Sequence, residues 1–260
     1  MFRAQETERP DALFRDRFAA RLGGERGAEI LANVANAGDH PWAWVIRTYL
    51  FDKVIRERIA AGTRRVVNLA AGLDARPYRL DLPADLHWVE VDLPPLVAYK
   101  EDVLAGEQPR CRFERVAMDL ADRPARQSLF GRRRGGLAIC EGLLIYFTEE
   151  QVADLGRDLA AAEFDYWLLD LASPALLKML QMTTGRTTAE AGAPLQFAPK
   201  ERTAFFEPLG WKAAEVHSTF DTAFALGRIP QELLAAPPPV IPGVEGEFWS
   251  GACLLERMAA

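Results

Sequence analysis

The stretch "RRVVNLAAGLDARPYRL", residues 64–80, decides the fold. Val66, Val67 and Leu69 read as a buried strand. The strand closes in the small residues Ala70, Ala71 and Gly72, with Asp74 directly behind them. Small residues at a strand end let a ligand come close to the main chain. Taken alone, Gly72 is equally well a plain strand-ending turn. A second strand, "LHWVEVD" (86–92), follows and ends on Asp92. In open α/β sheets ligands sit beyond the carboxyl ends of the strands, and an acid at the end of the second strand grips ribose hydroxyls. Two such strand ends together argue for a nucleoside site more strongly than either does alone.

Five more strands follow from the same reasoning: "CRFERVAMD" (111–119), "GLAICEG" (136–142), "FDYWLLDLA" (164–172), "WKAAEVHST" (211–219) and "GEFWSGACLLERM" (246–258). Helical patterns separate several of them, as in "PPLVAYKEDVLA" and "TEEQVADLGRDLAAA", where Thr148 and Gln151 form the signature of an N-terminal capping box. Strands alternating with helices imply an α/β fold, a mostly parallel sheet with helices on both faces. Before the first strand, "LFRDRFAARLGGERGAEILANVA" (13–35), interrupted at Gly23-Gly24, and "PWAWVIRTYLFDKVIRERIAAG" (41–62) read as helices, the latter stopped by Gly62. After the fifth strand, residues 173–210 are long, mostly helical and Gly/Thr-rich in the middle, which reads as a lid insertion. The proline-rich "AAPPPVIPG" (235–243) is a turn. The expected organisation is one domain: a helical segment (1–62), a cofactor-binding core (63–172), a lid (173–209) and C-terminal strands (210–260).

Composition narrows the function. The 260 residues carry a net charge of −6, which argues against a broad surface for nucleic acid. The run "GRRRGG" (131–136) reads as a solvated loop. The three cysteines, Cys111, Cys140 and Cys253, are far apart and form no CxxC pair, so neither a disulfide framework nor a zinc site is expected. With no secretory signal and no apolar run of membrane-spanning length, the expectation is a cytoplasmic protein without a membrane partner.

The first turn also selects the ligand. A dinucleotide site needs GxGxxG to cradle a pyrophosphate. Here one glycine and an acid stand in the turn, which suits a nucleoside without phosphate, and S-adenosylmethionine is such a ligand. A nicotinamide-dependent oxidoreductase is the competing class that this turn disfavours.

At this level of detail the sequence resembles the leucine carboxyl methyltransferase superfamily of class I S-adenosylmethionine-dependent methyltransferases, in its bacterial polyketide carboxyl and O-methyltransferase branch. The resemblance rests on "FRDRFAARLGGERG", "IRTYLFDKVI", "VVNLAAGLDARPYRL", "VEVDLPPLVAYK" and "CEGLLIYFTEEQV", in that order, and covers most of residues 14–172. It implies a Rossmann-like seven-stranded sheet and S-adenosylmethionine as cofactor. It also implies roles: Arg47 pairing with the methionine carboxylate, Gly72 allowing close backbone approach, Asp92 on the ribose, Asp119 and Leu120 at the adenine, Glu141 near the methionine amino group, and Tyr146 facing the substrate. Asn68 and Ala70 depart from a first motif that often has Asp and a second Gly. Asn68 keeps hydrogen-bonding capacity at the cofactor turn but brings no charge.

Bland readings stand beside these. Arg47 alone would be a surface arginine, and Tyr146 is as readily a packing aromatic. Of the three histidines, His87 reads as structural and His40 as a helix cap, leaving His217 as the candidate base. Methyl transfer from a sulfonium needs alignment more than acid catalysis. A carboxylate acceptor needs no base, whereas a phenol or alcohol gains from one. The scarcity of histidine therefore points to an O-methyltransferase acting on a small-molecule carboxylate, with a hydroxyl or phenol acceptor next and a non-catalytic S-adenosylmethionine-binding protein as the third reading.

Overall fold

The structure is a computed structural model that describes residues 1–33, 41–132, 134–190, 192–235 and 245–259. His40, Arg133 and nearly all of the proline-rich turn lie outside the described residues. Strands β1 (Arg65–Leu69), β2 (His87–Asp92), β3 (Arg112–Ala117), β4 (Leu137–Cys140), β5 (Tyr166–Ala172), β6 (Trp211–Ser218) and β7 (Ser250–Arg257) form a seven-stranded sheet in the order β3-β2-β1-β4-β5-β7-β6. Each lies inside a segment expected to be a strand, and the sheet has the mostly parallel α/β form the sequence implies. The chain divides into two compact units, Met1–Ile139 and Cys140–Ala260.

The first unit carries helices α1 (Phe2–Thr7), α2 (Ala19–Asn33), α3 (Pro41–Ala60), α4 (Arg76–Arg79), α5 (Pro94–Val103) and α6 (Arg123–Gly131). β1 pairs in parallel with both β2 and β4, and β2 pairs in parallel with β3. Val66, Val67 and Leu69 are fully buried, as expected for a strand covered on both faces of a parallel sheet. α3 runs close to its expected span. Residues 13–18, expected to be helical, are not. The buried acids Glu6 and Asp16 take backbone amides there, Leu13 N at 2.6 Å and Phe18 N at 3.1 Å. Side chains that capture main-chain donors compete with the helical ladder. α2 starts only at Ala19, and it kinks at Gly24, where φ is 55° and ψ −166°.

The second unit carries α7 (Glu149–Ala161), α8 (Pro174–Thr183), α9 (Gly185–Glu190), α10 (Thr219–Ala225) and α11 (Gln231–Ala235). β7 pairs antiparallel with β5 and with β6. The capping box forms: Gln151 N donates to Thr148 Oγ1 at 3.2 Å and Thr148 N to Gln151 Oε1 at 2.8 Å. Trp167 packs edge-on against Phe206 and Trp211, with ring centroids 5.2 and 5.7 Å away. The insertion after β5 is less helical than its composition suggests. Beyond α8 and α9 it runs through 193–199 without regular structure, where Pro194 and Pro199 each lack an amide donor, and ends in a 3-10 segment, Arg202–Leu209. Among the described residues no helix is long and apolar enough to cross a membrane.

Candidate functional site

The end of β1 turns sharply. Ala70 and Gly72 both take positive φ, 51° and 53°. The conformation costs glycine nothing and strains alanine. The turn is tied to the end of β2: Gly72 N donates to Asp92 Oδ2 at 2.6 Å, and Asp92 Oδ1 accepts Leu93 N at 2.8 Å. Asp92 is largely buried, yet each oxygen has used one of two lone pairs. The carboxylate is therefore held rigidly and can still accept a hydroxyl donor. The carbonyl of Asp92 also accepts Met118 N at 2.8 Å, which joins the turn after β3 to the same strand end. There Asp119 is exposed and accepts Ala121 N at 2.8 Å. Leu120 is buried, and its carbonyl accepts Arg126 Nη1 at 2.6 Å.

Asp74 is buried behind the turn. Its Oδ2 accepts Asn68 Nδ2 at 2.8 Å and Arg76 Nη1 at 3.2 Å, and its Oδ1 accepts Arg76 N at 2.9 Å. Burial pushes its pKa up, but Arg76, Arg79, Lys100 and Arg3 outweigh burial and hold the group at about 2. Asn68, itself buried, thus shapes the turn from within. From Arg76 the ion pairs continue. Arg76 Nε donates to Asp52 Oδ1 at 2.6 Å, and Arg79 grips both Asp52 oxygens at 2.6 and 2.7 Å. Arg79 Nε stands 3.8 Å from Asp16, Asp16 stands 3.4 Å from Arg3 Nε, and Arg3 Nη2 donates to Leu73 O at 2.5 Å. The chain of charges leaves the turn at Asp74 and returns to it at Leu73. Beside it, buried Glu90 accepts Lys100 Nζ at 2.8 Å and Arg115 Nε at 3.0 Å. Arg47 lies half-buried on α3, the helix that carries Asp52.

The second unit repeats the glycine–acid device. Gly142, after β4 and with φ of 67°, donates its amide to Asp170 Oδ1 on β5 at 2.6 Å. Glu141 precedes it, half-buried, and Tyr146 closes a 3-10 turn at Leu144–Tyr146. Residues from the insertion strap this turn: Gln196 N and Phe197 N donate to Ile145 O at 2.7 and 3.1 Å, and Gln196 Nε2 to Tyr146 O at 2.8 Å. His217 lies near the end of edge strand β6, with Nε2 2.9 Å from Glu215 Oε2. Among the described residues no cluster of His, Cys, Asp or Glu could hold a metal ion.

The family model for leucine carboxyl methyltransferase matches residues 1–160, and with them both glycine turns. The chain belongs to the leucine carboxyl methyltransferase family. A Mycobacteroides abscessus protein named "Putative S-adenosyl-L-methionine-dependent methyltransferase" is 37% identical over 174 residues, 60% of this chain and 57% of that relative. This chain thus matches little more than half of that protein's length. A Frankia alni protein of the same designation is 30% identical over 244 residues, 87% of this chain and 84% of its own length. A solved structure from Thermobifida fusca, described as a "putative methyltransferase", shares the fold: TM-score 0.65, 98% of this chain and 96% of that one, 18% identity.

Within this leucine carboxyl methyltransferase-family chain, the structure brings Gly72 to Asp92 and Asn68 to Asp74. Sequence reasoning missed Asp52, Arg76, Arg79, Glu90 and Asp170. Glu90 and Asp170 left a signal: a charged residue inside an apolar strand, which burial obliges to find a partner. Arg76 and Arg79, in the short polar helix RPYR, left none of that kind.

Proposed function

We propose that this chain transfers the methyl group of S-adenosylmethionine to an oxygen of a small-molecule carboxylate. The observation that carries the reading is the Gly72–Asp92 bond at 2.6 Å, which fixes an acceptor-only carboxylate beside a close-approach turn. The donor set fits the cofactor's nucleoside: Asp92 offers its remaining lone pairs to ribose hydroxyls. The turn lacks the GxGxxG that cradles a pyrophosphate, and carries Asp74, paired with Arg76, behind it.

When bound, the cofactor supplies an electrophilic methyl on a sulfonium whose departure leaves a neutral thioether. The residues here supply alignment and exclusion of water. Arg47 takes the planar carboxylate of the methionine arm, for which a guanidinium fork is suited. Glu141 takes the arm's amino group, Asp119 and the backbone at Leu120 take the adenine, and Tyr146 faces the acceptor. The segment 174–205 acts as the lid that selects it. An ionised carboxylate acceptor is already nucleophilic at neutral pH, so no proton need be removed.

Titration with S-adenosylhomocysteine tests the site. Asp92→Ala should weaken binding by about 10- to 100-fold, from the loss of hydrogen bonds to a charged group. Unchanged affinity would overturn the assignment. A labelled-methyl assay on carboxylic acids and matched phenols then tests the acceptor. The His217–Glu215 pair favours a second reading, in which His217 is the base for a hydroxyl acceptor. In that case phenols are methylated in preference to acids.

A further inference from the structure

α3 buries apolar residues around much of its circumference, while Trp44, Arg56 and Glu57 are exposed. Val45, Ile46, Leu50, Phe51, Val54 and Ile55 are all buried, and at about 100° per residue they spread widely round the helix. With buried apolar residues spread this widely, no narrow apolar stripe sets the rotation of the helix. What does select one rotation is Asp52, fully buried in this helix and held by two guanidiniums at 2.6–2.7 Å. Burying that carboxylate unpaired is strongly unfavourable, so any rotation that separates it from Arg76 and Arg79 is excluded. Buried ionic groups have their best-attested use in fixing register of this kind.

The partners of Asp52 belong to the cofactor turn. Arg76 reaches from Asp52 to Asp74 and lies over the Phe51 ring, 5.8 Å from its centroid. Arg47 is four residues before Phe51, its neighbour on the same face one turn toward the helix N-terminus. The same contacts that seat the turn therefore set the azimuth of Arg47.

We infer that Asp52 and Arg76 are positioning residues for Arg47, locking the rotation of α3 so that its guanidinium meets the carboxylate of the cofactor's amino-acid arm. The inference rests on the role proposed above for Arg47. It says that the charges inside the first unit tune recognition of the arm separately from recognition of the nucleoside.

Two probes separate these parts: S-adenosylhomocysteine, and 5′-methylthioadenosine, which is the same nucleoside thioether without the amino-acid arm. Calorimetric titration of both is carried out on the full chain and on Asp52→Asn, with thermal melts to confirm folding. Asp52→Asn should lose about tenfold or more in affinity for S-adenosylhomocysteine and less than about twofold for methylthioadenosine. Arg47→Ala should show the same split, and Asp92→Ala should weaken both ligands. If Asp52→Asn does not fold, Arg76→Lys, which keeps the charge but not the fork, should show the split in milder form. Equal losses for both ligands, or no loss, in Asp52→Asn or Arg76→Lys while Arg47→Ala shows the split would overturn the positioning role alone. If Arg47→Ala itself shows no split, the assignment of Arg47 fails, and the inference with it.

Discussion

The amide of Gly72 meets the carboxylate of Asp92 at 2.6 Å, across twenty residues of sequence. One bond thus fixes two strand ends relative to each other, and it uses the acid expected to hold a ribose. Asp92→Asn should therefore do two things at once. It should lower stability by about 1–3 kcal/mol, as for lost bonds to a charged group, and it should weaken S-adenosylhomocysteine binding. Urea melts and titration on the same preparation measure both.

Two glycines with positive φ should respond differently to alanine. At Gly72 a Cβ would meet only Ala70 O, at 3.9 Å, so the cost is conformational, about 1–2 kcal/mol. At Gly136 a Cβ would lie 2.4 Å from Arg65 O and 2.9 Å from Arg65 Cβ, so the backbone must move. Gly136→Ala should be the more destabilising by several degrees in Tm. Equal melting temperatures would refute the difference.

Acid should unfold the first unit through Asp74. Its folded value of about 2 lies below the ordinary carboxylate value. The stabilisation is thus fully present above about pH 4 and is lost as pH falls toward 2. The pairing is worth on the order of 2 kcal/mol across that window. Asp74→Asn should be less stable at pH 7 and should lose less stability between pH 4 and pH 2, as read by circular dichroism in urea.

The cysteines should be inert while the chain is folded. Burial first and then the Asp170 carboxylate push Cys253 up to about 12, against the opposing pull of Arg202. Burial and Glu90 push Cys111 up to about 11. Cys140 is buried and its sulfur accepts Trp167 Nε1 at 3.3 Å. Thiolates are the reactive form, so a thiol reagent at pH 8 should label these positions slowly in buffer and quickly in denaturant. Fast labelling of the native protein would contradict the burial.

Thr148→Ala serves as a contrast. It removes one side of the capping box on α7 and should cost about 1 kcal/mol of stability. Nothing in the proposed cofactor contacts involves Thr148, so S-adenosylhomocysteine affinity should hold.

The strands were legible because their signal is local. Val66, Val67 and Leu69 form an apolar run that ends in small residues, and Asp92 ends the next strand, so the sheet and its first ligand-facing turn could be read directly. The capping box of Thr148 and Gln151 was legible for the same reason, since its two partners are three residues apart. The helix expected over 13–18 failed because two acids, Glu6 and Asp16, draw backbone amides away from the ladder, and periodicity does not register that competition.

Sequence by itself determined the alternation of strands and helices, the family, and which acids stand at strand ends. Tertiary structure alone decided what the interior charges do. Asp52 stands 24 residues before Arg76 and 27 before Arg79, and their pairing depends on distances of a few ångströms that only packing sets. A lone buried charge is intolerable and a paired one is rigid, so the sequence could signal that partners must exist, while only the fold could choose them and bend them around the cofactor turn.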